Sequence, residues 1–185
     1  MAASGARVNW QDKPLEDAGV LAARGRITAG LGDLLARGVV AGTAAGLVFL
    51  VVQMGYGVEF LHQVAVAPLL AMSTVFNNTD VPTATSNDVV VGLVTHLTLS
   101  MLFGIAFAAL VPLLRLRMPL LFVGGAFAGF ALYLFNFQVL GRIVFKFFTN
   151  PLGPPTGLEI FDHILFGVLL VPFFVGMAQR YRAAT

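Results

Sequence analysis

Residues 89–140 read VVVGLVTHLTLSMLFGIAFAALVPLLRLRMPLLFVGGAFAGFALYLFNFQVL and carry only two charged side chains, Arg115 and Arg117. A transmembrane helix needs about 20 apolar residues, because each residue adds roughly 1.5 Å along the helix. The stretch therefore predicts two spans, residues 89–114 and 119–140, with a connection so short that we expect a tight antiparallel hairpin. Residues 38–60 and 158–178 are also long and apolar. The sequence thus predicts four spans.

The composition agrees with a chain that faces lipid. Of its 185 residues, 58% are hydrophobic and 11% are charged, whereas soluble domains are about 25% charged. We predict an all-α fold, a polytopic membrane four-helix bundle with short interfacial segments on the outer side. The absence of cysteine excludes disulfides, thiolate catalysis and cysteine-bound iron–sulfur clusters. We expect the bilayer as a partner and no nucleic acid.

The basic residues predict the orientation. Nine of them fall on one side of the predicted spans, namely Arg7, Lys13, Arg24, Arg26, Arg37, Arg115, Arg117, Arg180 and Arg182. Only Arg142 and Lys146 fall on the other side. Because Lys and Arg are enriched in cytoplasmic loops, we predict a cytoplasmic tail (1–37), a transmembrane domain (38–178) and a cytoplasmic C-terminus (179–185). The expected location is the bacterial inner (cytoplasmic) membrane.

The segments before and between the spans also have sequence patterns that predict their structure. The tail lacks the layout of a cleaved signal peptide, and its residues 20–35 predict either an interfacial helix or a partly ordered leader. On the outer side, Pro68 predicts the start of a short helix within the apolar residues 64–76. Residues 77–88 predict a polar loop. Residues 142–148 are basic and aromatic, and we expect their three phenylalanines at the membrane interface.

Small residues recur at helical spacing in every span. They are Gly38, Gly42 and Gly46; Gly92, Ser100, Gly104 and Ala108; Gly125 and Gly129; and Gly167. Helices in lipid pack closely through such faces. We therefore expect a tight bundle, most of all in its inner half.

The same faces continue outward into polar residues. Gln53, His96, Asn136 and His163 each share a helix face with a small residue and lie at a similar depth. One interpretation is a hydrogen-bond network that fixes the helix order. The other is a site for a metal, a haem or a quinone head group. The four residues are our candidate cofactor-binding residues. The pattern predicts no catalytic or metal-ligating set, and it leaves the cofactor, if any, open.

Acidic residues and a third histidine cluster where spans one and four reach the outer side. Glu59 and His62 end the first span, and Glu159, Asp162 and His163 open the fourth. Di-iron bundles draw carboxylates from four helices in their core, whereas these carboxylates fall at the predicted membrane edge. We interpret them as solvated, or as charges that favour a helix N-terminus, as Glu159 and Asp162 would in the fourth span.

Four short stretches resemble a loose group of small four-span bacterial membrane proteins, some labelled "sodium:proline symporter". They are VTHLTLS (94–100), LYLFNF (132–137), DHILFG (162–167) and APLLAM (67–72). The resemblance covers spans two to four, about half of the chain, and the long N-terminal tail departs from it. It implies a four-span membrane fold and no particular activity. A true symporter of that name has many more spans, so its transport activity is not implied.

The sequence favours a protein that is not an enzyme, because it has no phosphate-binding glycine loop, zinc-protease motif or serine elbow. Our leading prediction is an accessory or structural subunit of a larger membrane complex, in an electron-transfer assembly such as a respiratory one, with other membrane subunits as partners. The alternative is a haem- or quinone-binding protein that uses His96 and His163. A third hypothesis is a small homo-oligomeric transporter, although nothing titratable lies near the middle of a span.

Overall fold

The structure, a computed structural model, describes residues 13–151 and 153–178, and for residues 13–29 it gives the helical backbone alone. Every element within these residues is helical. The α-helices are α1 (Lys13–Leu61), α2 (Ala67–Asn77), α3 (Ser86–Leu113), α4 (Leu120–Tyr133), α5 (Gly141–Ile143) and α6 (Thr156–Leu170). A π-helical segment, Leu134–Leu140, joins α4 to α5, and 3₁₀ turns occupy Lys146–Thr149 and Val171–Phe174. The predicted C-terminal segment, 179–185, lies outside the described residues.

Four helices are long and apolar enough to cross a membrane, which confirms the predicted fold class. They are Gly30–Leu61, Ser86–Leu113, Leu120–Ile143 and Thr156–Ala178. Large apolar side chains such as Val51, Leu102 and Phe127 are exposed along these helices, as expected where lipid is the solvent. Helix α1 runs unbroken from Lys13 to Leu61, so the predicted first span, residues 38–60, is part of a longer helix. Residues 20–35 are therefore part of α1 and not a separate interfacial helix.

The predicted small-residue faces form the helix contacts. Gly42 of α1 lies against the backbone of Ser100 in α3, and Gly104 of α3 lies against Gly38 of α1. In the other half of the bundle, Gly129 of the third span lies against the backbone of His163 in the fourth. A methyl group at any of these glycines would collide with the opposing backbone. The spans therefore pack as two antiparallel pairs, α1 with α3 and α4 with α6.

The expectation of a tight hairpin between spans two and three is wrong. The connection is short and turns sharply, with Arg115 at φ 48° and a cis peptide bond before Pro119. Beyond the turn, however, α3 and α4 contact each other at few positions, because each is held along its length by another partner. Since α1 also packs on α6, the helices neighbour one another in the order α3, α1, α6, α4.

The hydrophobic core occupies the half of the bundle near the α3–α4 turn. This is the half in which the small residues predict the tightest helix packing. Its fully buried members include Val111, Leu121, Val171 and Phe174. The opposite end, which we call the α2 end, is more open. There α2 packs on α3 with Leu69 against Gly92.

The segments at the α2 end agree only in part with the sequence. Helix α2 begins with Pro68 in its first turn, as predicted. The polar loop is shorter than expected, because Asp88 lies in the first turn of α3, where its carboxylate accepts hydrogen bonds from Asn77, Thr83 and Thr85. Phe147 was expected at the membrane interface, but the 3₁₀ turn directs it inward and it is buried.

Candidate functional site

A chain of hydrogen bonds crosses the α2 half of the bundle from α1 to the π-helical segment. Gln53 of α1 donates through Nε2 to Oε1 of Glu159 in α6, over 2.7 Å. One turn further along α6, Nδ1 of His163 lies 2.7 Å from the carbonyl oxygen of Glu159. The other ring nitrogen of His163, Nε2, lies 3.2 Å from Nδ2 of Asn136. Three of the four predicted polar residues therefore belong to one network, which passes through Glu159.

The partners of His163 fix its tautomer. A carbonyl oxygen only accepts, so the proton of the neutral imidazole must sit on Nδ1 and be donated to Glu159. Nε2 then carries a lone pair and accepts from the Asn136 amide. Both ring nitrogens are thus engaged within the protein, and His163 is 7% exposed.

Asn136 reaches His163 from a π-helical segment. Leu134–Leu140 follows α4 directly and widens the helix over seven residues. Such bulges are rare and are frequent at functional sites, because they redirect side chains that a regular α-helix would point elsewhere. Nothing in the sequence, which lacks a proline or glycine between Leu134 and Leu140, signalled this departure.

His96 shares the region but not the network. Its Nε2 lies 2.8 Å from the carbonyl oxygen of Gly46, so it donates to α1 across the α1–α3 contact. The ring of Phe49 contacts both histidines, with its centroid 5.6 Å from that of His96 and 5.3 Å from that of His163. Within the described residues, His96 shares no hydrogen bond with the other three predicted residues, and the ring of Phe49 lies between it and His163.

The acidic residues of α6 are buried, which corrects their interpretation as solvated charges. Glu159 is in the first turn of the helix, as expected, but it is only 4% exposed. Asp162 is fully buried, and neither of its carboxylate oxygens has a hydrogen-bond partner among the described residues. The spacing of the two acids in the sequence indicated their burial, because Glu159 and Asp162 share the apolar helix face of Phe166 and Leu170. By contrast, Glu59 is exposed at the end of α1.

A cavity of about 630 Å³ lies beside this network. Its walls come from α3 and from the α4 region, with Phe103 and Leu132 on the two sides. Phe49 and Phe166 also line it, and α2 and the buried Phe147 close it toward the α2 end. The lining is mostly apolar, and its polar members include the whole network and His96. The cavity therefore exists where α3 and α4 diverge.

The donor set does not favour a bis-histidine haem. Axial ligation needs a free ring nitrogen from each histidine on opposite faces of the macrocycle. Both nitrogens of His163 are hydrogen-bonded, and the ring of Phe49 packs against both imidazoles. Within the described part of the chain, no three His, Asp or Glu side chains are grouped closely enough to hold a metal ion.

The lining is suited to binding more than to nucleophilic chemistry. Ser100 and His96 both line the cavity one turn apart. Within the described residues, however, the histidine Nε2 is bonded to Gly46 and no hydrogen bond activates the serine hydroxyl. Comparison of the chain with protein-family models, with curated proteins and with solved structures finds no match.

Proposed function

We propose that this chain is a non-enzymatic membrane protein that holds a lipid-soluble molecule with a hydrogen-bonding head group, of which a quinone is representative. The observation that carries the proposal is the cavity of about 630 Å³, apolar over most of its lining and bordered by one hydrogen-bonded polar network. Pockets for small molecules have this character, with a few placed polar groups in apolar walls, and volumes of roughly 300–1,000 Å³.

The polar network supplies unused hydrogen-bonding groups for a head group. Gln53 and Asn136 each spend one amide N–H inside the network. Each amide has a second N–H and a carbonyl oxygen, so the pair can donate to a carbonyl head group or accept from a hydroxyl. The internal bonds hold both side chains in place before a ligand arrives, which lowers the entropic cost of binding.

The route into the cavity also favours a ligand that dissolves in the bilayer. Both α3 and the α4 region line the cavity, and they contact each other at few positions. A lipid-soluble molecule can therefore enter sideways between them, with its head group against the network and its tail along the apolar side chains.

The test is the ligand content of the protein purified from native membranes in mild detergent. Organic extraction, absorbance and mass spectrometry would be applied to wild type, to Leu132→Trp, which fills the cavity, and to Phe127→Trp, which lies on the same helix and is 71% exposed. We expect a defined lipid-soluble compound in wild type and Phe127→Trp, and its loss from Leu132→Trp. Equal content in all three, with unchanged size-exclusion profiles, would contradict the proposal.

Helix α1 supports a second candidate function, a subunit of a larger membrane complex. Its 49 residues extend over about 74 Å, against a hydrocarbon thickness of roughly 30 Å. Residues 13–29 precede the membrane span and continue its helix, which offers a surface to a neighbouring subunit. With a quinone in the cavity, the neighbour would belong to an electron-transfer assembly.

The subunit function predicts that deleting residues 1–25 leaves the bundle inserted but weakens assembly. Insertion depends on the four spans and on flanking basic residues, which the deletion largely keeps. Native gels of solubilised membranes would measure the size of the complex, and carbonate extraction would control for insertion. A complex of unchanged size would exclude residues 1–25 as the docking element.

A further inference from the structure

A second cavity, of about 190 Å³, lies at the α2 end between the end of the third span and the start of the fourth. Its lining is mainly polar and includes Gln138, Arg142, Thr149 and Thr156. Arg142 is the next-to-last residue of the third span, and Thr156 is the first residue of the fourth. The cavity therefore lies between the ends of two candidate spans, where we expect lipid head groups to meet the hydrocarbon.

The guanidinium of Arg142 is oriented by its own helix. Its Nε donates to Oε1 of Gln138 over 3.1 Å, and Nε2 of Gln138 donates to the hydroxyl of Tyr133 over 3.1 Å. Tyr133 is buried, so its hydroxyl holds the side chain of Gln138 in place, and Gln138 in turn orients Arg142. The two terminal nitrogens of the guanidinium are not used in these bonds, and they form the fork that matches a phosphate group.

Within the described residues, Arg142 forms no ion pair with a carboxylate. The buried acid Glu159 is bonded to Gln53 and lines only the larger cavity. Lys146 follows one turn later and is exposed. The first amides of α6, next to Thr156, have no side-chain cap and add a partial positive charge. Among the residues that line the cavity, Arg142 supplies the positive charge, whereas the hydroxyl of Thr149 donates to the carbonyl oxygen of Gly141.

We infer that this second cavity binds a phosphate group and that its source is an anionic membrane lipid. A guanidinium fork fits the oxygens of a phosphate group, and the position of Arg142 at the end of a candidate span suits a phosphate carried by a membrane lipid. The two cavities share the wall formed by Phe137, Phe148, Asn150 and Pro154, but Arg142 lines only the second one.

The experiment is native mass spectrometry of the whole protein with phosphatidylglycerol, phosphatidylcholine or inorganic phosphate as the probe. Variants would be Arg142→Gln and, as a matched control, Arg115→Gln, which removes the same charge at the opposite end of the bundle and lines neither cavity. We expect wild type and Arg115→Gln to retain phosphatidylglycerol over phosphatidylcholine. Arg142→Gln should lose about tenfold in that affinity, the effect of one charge-assisted hydrogen bond.

Two results would overturn the inference. The first is equal retention of phosphatidylglycerol by Arg142→Gln and Arg115→Gln in protein that keeps its size-exclusion profile. The second is Arg142-dependent binding of inorganic phosphate that phosphatidylglycerol does not displace, which would leave phosphate binding in place but exclude a lipid source.

Discussion

At the scale of single residues, His163 is the centre of the polar network, since it bonds to its own helix and to Asn136. Gln53, Asn136 and His163 could be predicted from the sequence, because each extends a small-residue face that must point into the bundle. The bond of Glu159 to Gln53 could not be predicted, because the two residues lie 106 positions apart in the chain, although the place of Glu159 on the apolar face of α6 indicated its burial.

The bond between Asn136 and His163 predicts a measurable coupling. In a double-mutant cycle with alanine at both positions, we expect an interaction energy of about 0.6 kcal/mol, typical of side-chain hydrogen bonds within membranes. The matched cycle between Asn136 and His96, which share no hydrogen bond, should give none. Unfolding in mixed detergent micelles measures both. Equal coupling in the two cycles would contradict the assigned partners.

The bond between Gln53 and Glu159 predicts an asymmetry between single and double substitution. Gln53→Leu removes the hydrogen-bond donor of the buried Glu159 carboxyl and leaves only the longer contact, 3.6 Å, between its Oε2 and Nδ1 of His163. The change should destabilise the bundle by about 1–3 kcal/mol. Adding Glu159→Leu removes the orphaned group, so most of the stability should return. Thermal unfolding in detergent measures both variants. A double variant less stable than Gln53→Leu alone would show that Glu159 has a further partner.

At the scale of helices, the small residues determine which spans pair. The sequence predicted their contact faces correctly, because glycine spacing depends only on the helical period. It did not predict that the faces of α3 and α4 turn away from each other, since chain connectivity favours a hairpin while the glycines favour α1 and α6. Nor did it predict the π-helical Leu134–Leu140, which regular helical periodicity does not reveal.

The packing of α1 on α3 predicts opposite responses of two glycines in one helix. A methyl group at Gly42 would strike the Ser100 backbone, whereas the space around Gly55 is open. Gly42→Ala should therefore destabilise by about 1–3 kcal/mol. Gly55→Ala should be neutral or stabilise by up to about 1 kcal/mol, because alanine is the better helix former. Thermal unfolding in detergent measures the stability of both variants. An equal loss of stability in the two would contradict the pairing of α1 with α3.

At the scale of the whole molecule, the distribution of basic residues predicts which end faces the cytoplasm. A cysteine at the exposed Ala84, in the loop before α3, and one at Thr185 should report opposite sides to an impermeant thiol reagent in intact cells. We expect labelling of Ala84→Cys alone. Labelling of Thr185→Cys alone would reverse the orientation, and labelling of both would contradict an even number of spans.

The divergence of α3 and α4 opens the cavity of about 630 Å³, in which we propose that a lipid-soluble ligand is bound. The most direct test places photoreactive benzoylphenylalanine at Leu99, which lines the cavity, and at Leu102, which is 53% exposed on the same helix. After irradiation in native membranes, mass spectrometry identifies what each position has captured. We predict one defined small-molecule adduct at Leu99 and bulk phospholipid adducts at Leu102. The same phospholipid adducts at both positions would contradict the claim.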